Sequence, residues 1–135
     1  MVQLIGADGS TLVGTSRLHV LQDDIARAYL LTRLSAKPEQ TRLLQNYPNP
    51  FNPETWIPFQ LTKPADVTIH IYNAHGQLIC TLWLGQQNAG FYVNRSKAAY
   101  WNGRNESGER VASGLYFYQL KAGDFTATRR MVIVK

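Results

Sequence analysis

From Trp56 to the end of the chain, apolar residues recur largely at every second position. A period of two puts successive side chains on opposite faces of a strand, so each row of alternate apolar residues marks a buried face. Val67, Ile69 and Ile71 form one row. Leu78, Cys80, Leu82 and Leu84 form the row of a returning strand, with His75-Gly76 as the turn between them. Trp56 to Leu61 reads as an earlier strand, and Pro58 within it predicts an edge position, because proline has no amide to give a ladder. Gly85 to Gly90 reads as a loop. Phe91 to Val93 and Ala98 to Trp101 flank a polar interruption, Asn94-Arg95-Ser96-Lys97, which is either a bulge or a loop. Asn102 to Glu109 is a turn rich in Gly and Asn, and Gly114 to Leu120 with Thr126 to Val134 form a last hairpin around Ala122-Gly123-Asp124. Turn signals return about every dozen residues with no helical period between them. The pattern predicts an all-β antiparallel sandwich rather than a parallel α/β sheet.

The first 44 residues follow other periods. Val2 to Thr15 predicts a hairpin fragment turning at Asp8-Gly9. A calcium loop there would need more carboxylates than Asp8 supplies. Leu21, Ile25, Ala28, Leu31 and Leu34 recur at spacings of three and four, which predicts one amphipathic helix over Gln22 to Ala36. Asp23 and Asp24 favour its start, Arg33 and Lys37 its end, and Pro38 stops it. Its apolar stripe needs a cover: the β module, an upstream region, or another chain. The division expected is 1–44, a hairpin plus helical linker forming the tail of an upstream region, and 45–135, the sandwich.

Between the two lies Asn46-Tyr47-Pro48-Asn49-Pro50-Phe51-Asn52-Pro53. Its three prolines fix φ and delete amide donors, and they push Tyr47, Asn49 and Asn52 towards extended geometry. An extended, polyproline-like strap is predicted, with Tyr47 and Phe51 as rings able to dock on a neighbouring surface.

This segment, continued by Glu54-Thr55, resembles the opening of the C-terminal sorting domains of bacterial type IX secretion, a group related to the Ig-like domain of flagellar hook-capping proteins, and the resemblance implies an Ig-like antiparallel β-sandwich. Downstream, Val67 to Asn73 with His75-Gly76-Gln77 resembles that family's first hairpin. Tyr100-Trp101-Asn102-Gly103-Arg104-Asn105 with Gly108 resembles its Trp-Asp/Asn-Gly turn. Val111 to Tyr118, including Gly114, Tyr116 and Tyr118, and the terminal Arg130-Met131-Val132-Ile133-Val134-Lys135 resemble its last two strands. The likeness runs from about Leu44 to the last residue. It implies a non-catalytic sorting or anchoring module of an exported bacterial protein, found at the cell surface or outside the cell. The implied partners are the outer-membrane secretion machinery, a sortase-like protease that removes the module, and a cargo domain upstream in the same protein. The related hook-cap domains imply an alternative role as a structural scaffold.

Composition adds limits. No apolar run reaches the ~20 residues a membrane helix needs, so no membrane insertion is expected. The N-terminus shows no signal peptide, so an exported protein would carry its signal upstream. Cys80, the single cysteine, rules out an intrachain disulfide, and its alternating context suits a buried apolar role. The net charge is +5, with nine basic and five acidic side chains in residues 45–135. Only Arg129-Arg130 are adjacent there, too sparse for a nucleic-acid footprint.

Chemistry is thinly supplied. His70 and His75 lack the cysteine or acidic neighbours of a zinc set, so neither metal nor cofactor is expected. Ser113 lies outside any nucleophile-elbow context, and Glu54, Asp66, Glu106, Glu109 and Asp124 offer no selected acid–base pair. Gly103 and Gly108 form no phosphate loop. No catalytic residue is assigned, and the module is not expected to be an enzyme. Aromatic residues are the remaining resource. Leu115 to Tyr118 is apolar on both faces, which suits core packing covered on the far side by the strap or the helix. A platform of Trp83, Tyr92 or Tyr100 for sugar rings is the other use, as in a carbohydrate-binding appendage. The segment Arg129 to Lys135 is either a last strand whose charges guard an edge or, by the resemblance, the element a secretion receptor reads through main-chain pairing.

Overall fold

The computed structural model describes residues 4–5, 7–8 and 37–135. Lys37–Lys135 form one compact unit and Met1–Ala36 another. In the first, β1 (Leu4–Ile5) and β2 (Ala7–Asp8) pair in parallel, Leu4 against Ala7 and Ile5 against Asp8. Asp8 thus belongs to a strand instead of opening a turn. The rest of the expected hairpin and the expected helix over Gln22 to Ala36 lie outside the described residues.

The second unit is an antiparallel β-sandwich with no helix among its described residues. One layer is a four-stranded sheet in the order β11 (Phe125–Ile133), β10 (Gly114–Ala122), β6 (Ala65–Asn73), β7 (Leu78–Gln87). The facing strands form two short sheets: β3 (Arg42–Leu43), β5 (Phe59–Leu61) and β8 (Gly90–Tyr92) in one, β4 (Thr55–Ile57) and β9 (Ala99–Trp101) in the other. Alternation does what the sequence predicts in β6 and β10. Val67, Ile69 and Ile71 meet Tyr116, Tyr118, Leu120 and Ala122 in the core, together with Ile57, Phe59, Leu61 and Trp101. Burial of each such side chain stabilises the sandwich by roughly 1.5–3 kcal/mol.

Three local expectations are corrected. The stretch Trp56 to Leu61 is two strands: Pro58 separates β4 from β5, and the chain changes sheets there. Pro58 is buried and its carbonyl accepts from Leu44 N at 3.0 Å, and β5 is the middle strand of its sheet, so no edge strand passes through the proline. In β7 the apolar row is broken by register shifts opposite Val67/Thr68 and Ile71/Tyr72. An extra residue in a bulge reverses the alternation. Leu78 is therefore 53% exposed, while Ile79 packs against the core beside buried Cys80. The strand continues to Gln87, which leaves only Asn88 and Ala89 between β7 and β8. The interruption Asn94 to Lys97 is a turn, closed by Lys97 N to Asn94 O at 3.0 Å.

Candidate functional site

The strap is not an extended polyproline segment. It bends at Pro48, Asn49 and Pro50 and again at Asn52 and Pro53, and its three X-Pro bonds are cis. Those bends carry it from the second layer to the last strand of the first. At one end Tyr47 exchanges backbone bonds with Trp56 in β4, at 2.9 and 2.8 Å. At the other end Phe51 forms a parallel bridge to β11: Phe51 N donates to Val132 O and Val134 N donates to Phe51 O, each at 3.0 Å.

Side chains fasten the path between these bridges. Asn46 and Thr55 are the buried polar residues of the unit, and they satisfy each other. Asn46 Nδ2 donates to Thr55 Oγ1 at 2.9 Å, and Thr55 Oγ1 donates to Pro48 O at 3.0 Å. A buried polar atom without a partner would cost about 1–3 kcal/mol, so this closed set gives the turn one geometry. Tyr118, fully buried on β10, accepts from Asn46 N at 2.9 Å and donates to Leu44 O at 2.8 Å. Burial pushes its phenol up to about 12, against the opposing pull of the Asn46 amide and the Arg129 charge. Asn49 Oδ1 accepts from Val132 N at 3.0 Å, and Gln45 Nε2 donates to Arg130 O at 3.0 Å.

Phe51 enters the core, where its ring lies 5.7 Å from Trp101, which in turn meets Tyr116 edge-on at 6.0 Å. Trp101 Nε1 donates to Arg104 O at 2.9 Å, and the Tyr116 hydroxyl to Ala112 O at 2.8 Å. Gly103 takes a φ of 77° with the Pro53 carbonyl against it, and Gly114 a φ of 148° in open space. Met131 is in the core; Arg130 and Lys135 are exposed, and Lys135 N donates to Ser113 Oγ at 3.1 Å. Most of the motif residues therefore converge on one junction between the strap, the turn at Gly103 and the end of β11. Asn52 and Pro50, exposed, and Lys135 face outward from it. Thr55 closes the motif that opens at Asn46, whereas the junction's Gln45 and Leu44 carry no motif that would have singled them out. Arg129 Nε also closes onto the strap's approach, donating to Leu43 O at 2.8 Å.

The junction changes how the terminal strand can be used. β11 is an edge strand, but from the Arg130 carbonyl to the Val134 amide the outward backbone groups are bonded to Gln45, Asn49 and Phe51. Main-chain pairing by a receptor at the very end of the strand would have to displace the strap.

The aromatic residues separate into two regions. Trp56 packs between Tyr47 and Tyr100, at 6.4 and 5.5 Å, with the Arg95 guanidinium 4.2 Å above its ring. Tyr100 donates to Glu54 at 2.7 Å, the main reason its phenol is raised, with burial and the carboxylate charge adding to it. The Tyr47 hydroxyl donates to Val93 O. Trp83 projects from β7 opposite Thr68, 77% exposed, on the outer face of the other layer. Tyr92 stacks on buried Phe59 at 4.8 Å. Trp83, Tyr92 and Tyr100 thus form no common platform. Phe117 and Leu115 lie on the outer face of β10, half-buried and exposed, while Tyr116 and Tyr118 fill the core.

Reactive chemistry stays sparse among the described residues. No group of three His, Cys, Asp or Glu is placed to hold a metal ion, and no helix is long and apolar enough to cross a membrane. Burial and then the Glu106 charge push the Cys80 thiol up to about 11, which suppresses thiolate. His70 lies half-buried beside Tyr72, its Nδ1 without a protein partner, and His75 is exposed in the turn.

Two facing antiparallel layers, a bridging strap and a chain that changes sheets at Pro58 define an Ig-like domain. The chain belongs to the FlgD Ig-like domain family, whose model matches residues 49–124. No curated protein matches it. Among solved structures, dimeric latent PorU from Porphyromonas gingivalis is similar at 16% identity and a TM-score of 0.53, covering 72% of this chain and 9% of PorU. PorZ, described as an essential bacterial surface component of the type IX secretion system of the same organism, is 21% identical with a TM-score of 0.43, covering 72% of this chain and 12% of PorZ. The chain thus spans a small part of either protein, and the PorU likeness is one of fold.

Proposed function

We propose that the chain is a non-catalytic sorting or anchoring module that directs an exported bacterial protein through the outer membrane to the surface or the medium. One observation carries it. The two sequence features that resemble type IX sorting domains, the Pro-Asn strap and the terminal strand, meet in a single hydrogen-bonded junction. Asn46 to Pro48 and all of β11 lie outside the range matched by the FlgD Ig-like family, which begins at Asn49 and ends at Asp124. A scaffold role taken from the hook-cap domain accounts for the sandwich but gives no reason for this junction. A sorting role does, because it requires a folded surface for a receptor to read, and the junction builds one from both motifs. The module does no bond chemistry in this reading. Its partners are outer-membrane secretion machinery, a sortase-like protease acting on the fusion, and cargo upstream.

The test is a reporter with a periplasmic export signal placed ahead of the full 135-residue chain, expressed in a bacterium with a type IX system. The reporter is expected on the surface or in the medium, and in the periplasm when that system is deleted. Folded, protease-resistant fusion held in the periplasm of the competent strain would leave the scaffold role as the better account.

A further inference from the structure

The strap protects only half of the last strand. In β11, Val132 turns its backbone groups outward, as its bonds to Phe51 and Asn49 show, and the same parity applies to Arg130, Thr128 and Thr126. From Phe125 to Arg129 the inner edge pairs with β10, and Thr126 and Thr128 have no backbone partner on the outer side among the described residues. The opposite edge of the sheet is guarded differently. β7 carries two register shifts, and Glu106 accepts from Thr81 N at 2.9 Å. Bulges and loop contacts of this kind are how edges are kept from pairing. Among the described residues Phe125 to Thr128 have neither, and only at Arg129 does a side chain reach across, to Leu43 O at 2.8 Å.

Two clefts flank this open half on opposite faces. On the core side, a cleft of about 510 Å³ has an apolar floor of Leu61, Ala65, Ala122 and Phe125 beneath a polar rim that includes Glu39, Lys63 and Asp124. On the outer side, one of about 450 Å³ is lined by Gln45, Phe117, Thr128, Arg129 and Arg130, with two cations and no acid. Phe125 and Thr128 are three residues apart, about 10 Å along a strand. An added strand alternates its side chains between faces, so residues three apart on it would enter the two clefts. The first cleft takes an apolar side chain and the second a carboxylate.

We propose that Phe125 to Arg129 is a docking edge for an extended partner segment that alternates apolar and acidic side chains. Main-chain bonds to Thr126 and Thr128 supply the attachment, and the two clefts supply the selection. This deepens the sorting reading by naming the surface the export machinery touches, and rests on that reading only for who the partner is.

The experiment uses the full chain in solution. Hydrogen exchange is followed at four amides, and binding is measured by anisotropy with two labelled ten-residue peptides, one alternating valine and glutamate, the other valine and lysine. The amides of Thr126 and Thr128 are expected to exchange at least about tenfold faster than those of Val132 and Val134, and to gain protection when the glutamate peptide binds. Thr128→Pro removes one outward amide without touching the β10 ladder and should weaken that peptide at least about tenfold. Arg130→Glu, an exposed position, should reverse the preference between the peptides. Equal protection of all four amides in the free chain, no binding of the glutamate peptide, or binding indifferent to both substitutions overturns the proposal. These readouts need no secretion. A chain that binds the peptide but fails to carry a reporter out sinks sorting alone, and the reverse result sinks the edge alone.

Discussion

Gly103 faces the carbonyl of Pro53 so closely that a β-carbon at position 103 would overlap the Pro53 oxygen. The turn after β9 and the end of the strap are therefore fitted to each other through backbone, which cannot rotate aside as a side chain can. Gly76 and Gly108 have similar φ values, 81° and 83°, with nothing within 4 Å of the added carbon. Alanine at either should cost only the left-handed backbone penalty of about 1–2 kcal/mol. Gly103→Ala adds a backbone clash and should cost at least about 3 kcal/mol. Urea unfolding of the three variants measures the difference, and equal losses would show that the strap yields easily.

The strap's two rings predict unequal losses. Phe51 is buried against Trp101, whereas Tyr47 is half-buried on the surface of Trp56. Phe51→Ala opens a cavity in the core and is expected to destabilise by about 3–5 kcal/mol. Tyr47→Ala loses an exposed aromatic pair and should cost about 0.5–1.5 kcal/mol. Thermal denaturation of both variants checks the ranking.

Much of the sandwich was legible because alternation reports burial directly wherever a strand is regular. Val67, Ile69 and Ile71, and Tyr116, Tyr118 and Leu120, all face inward as the period of two requires. The failures share a cause: each depends on a partner strand that the local pattern does not contain. Leu78 turns outward because of a bulge set against Tyr72, and Pro58 marks a change of sheet because β4 and β5 find different neighbours. The strap was recognisable by its prolines, yet its bonding was not. That Asn46 would meet Thr55, or Asn49 the amide of Val132, follows from closure over 9 and 83 residues, beyond any local signal.

Tyr118 links stability to alkaline pH. Its phenol rises from 10.0 to about 12 on folding, chiefly through burial, so the neutral form is the one the fold holds. The unfolded chain ionises first; stability is complete below about pH 10 and is lost as pH climbs towards 12, by at most about 1.4 kcal/mol per pH unit. Cys80, raised from 9.0 to about 11, acts with the same sign over a window one unit lower. Tyr118→Phe should remove the upper part of the loss. At pH 7 the same variant should be weaker by about 1–3 kcal/mol, because Asn46 N and Leu44 O lose their shared partner. Urea midpoints from pH 7 to 12 for the two proteins would show the curves converging; parallel curves would mean Tyr118 is not the titrating group.

Shortening the C-terminus separates folding from recognition. Removing Val134 and Lys135 deletes two hydrogen bonds, to Phe51 O and to Ser113 Oγ, but no core side chain, and should cost about 1–3 kcal/mol. Removing Arg130 to Lys135 also takes Met131 and Ile133 from the core and leaves Phe51 without its bridge. Each buried aliphatic lost costs about 2–5 kcal/mol against a total stability of about 5–15 kcal/mol. The longer deletion is therefore expected to unfold the unit, seen as lost β-sheet circular dichroism and rapid proteolysis, and its effect on export would report misfolding. The two-residue deletion is the informative one. A folded protein that no longer carries a reporter outward means the last two residues are themselves read, whereas normal export places the recognised surface upstream of them.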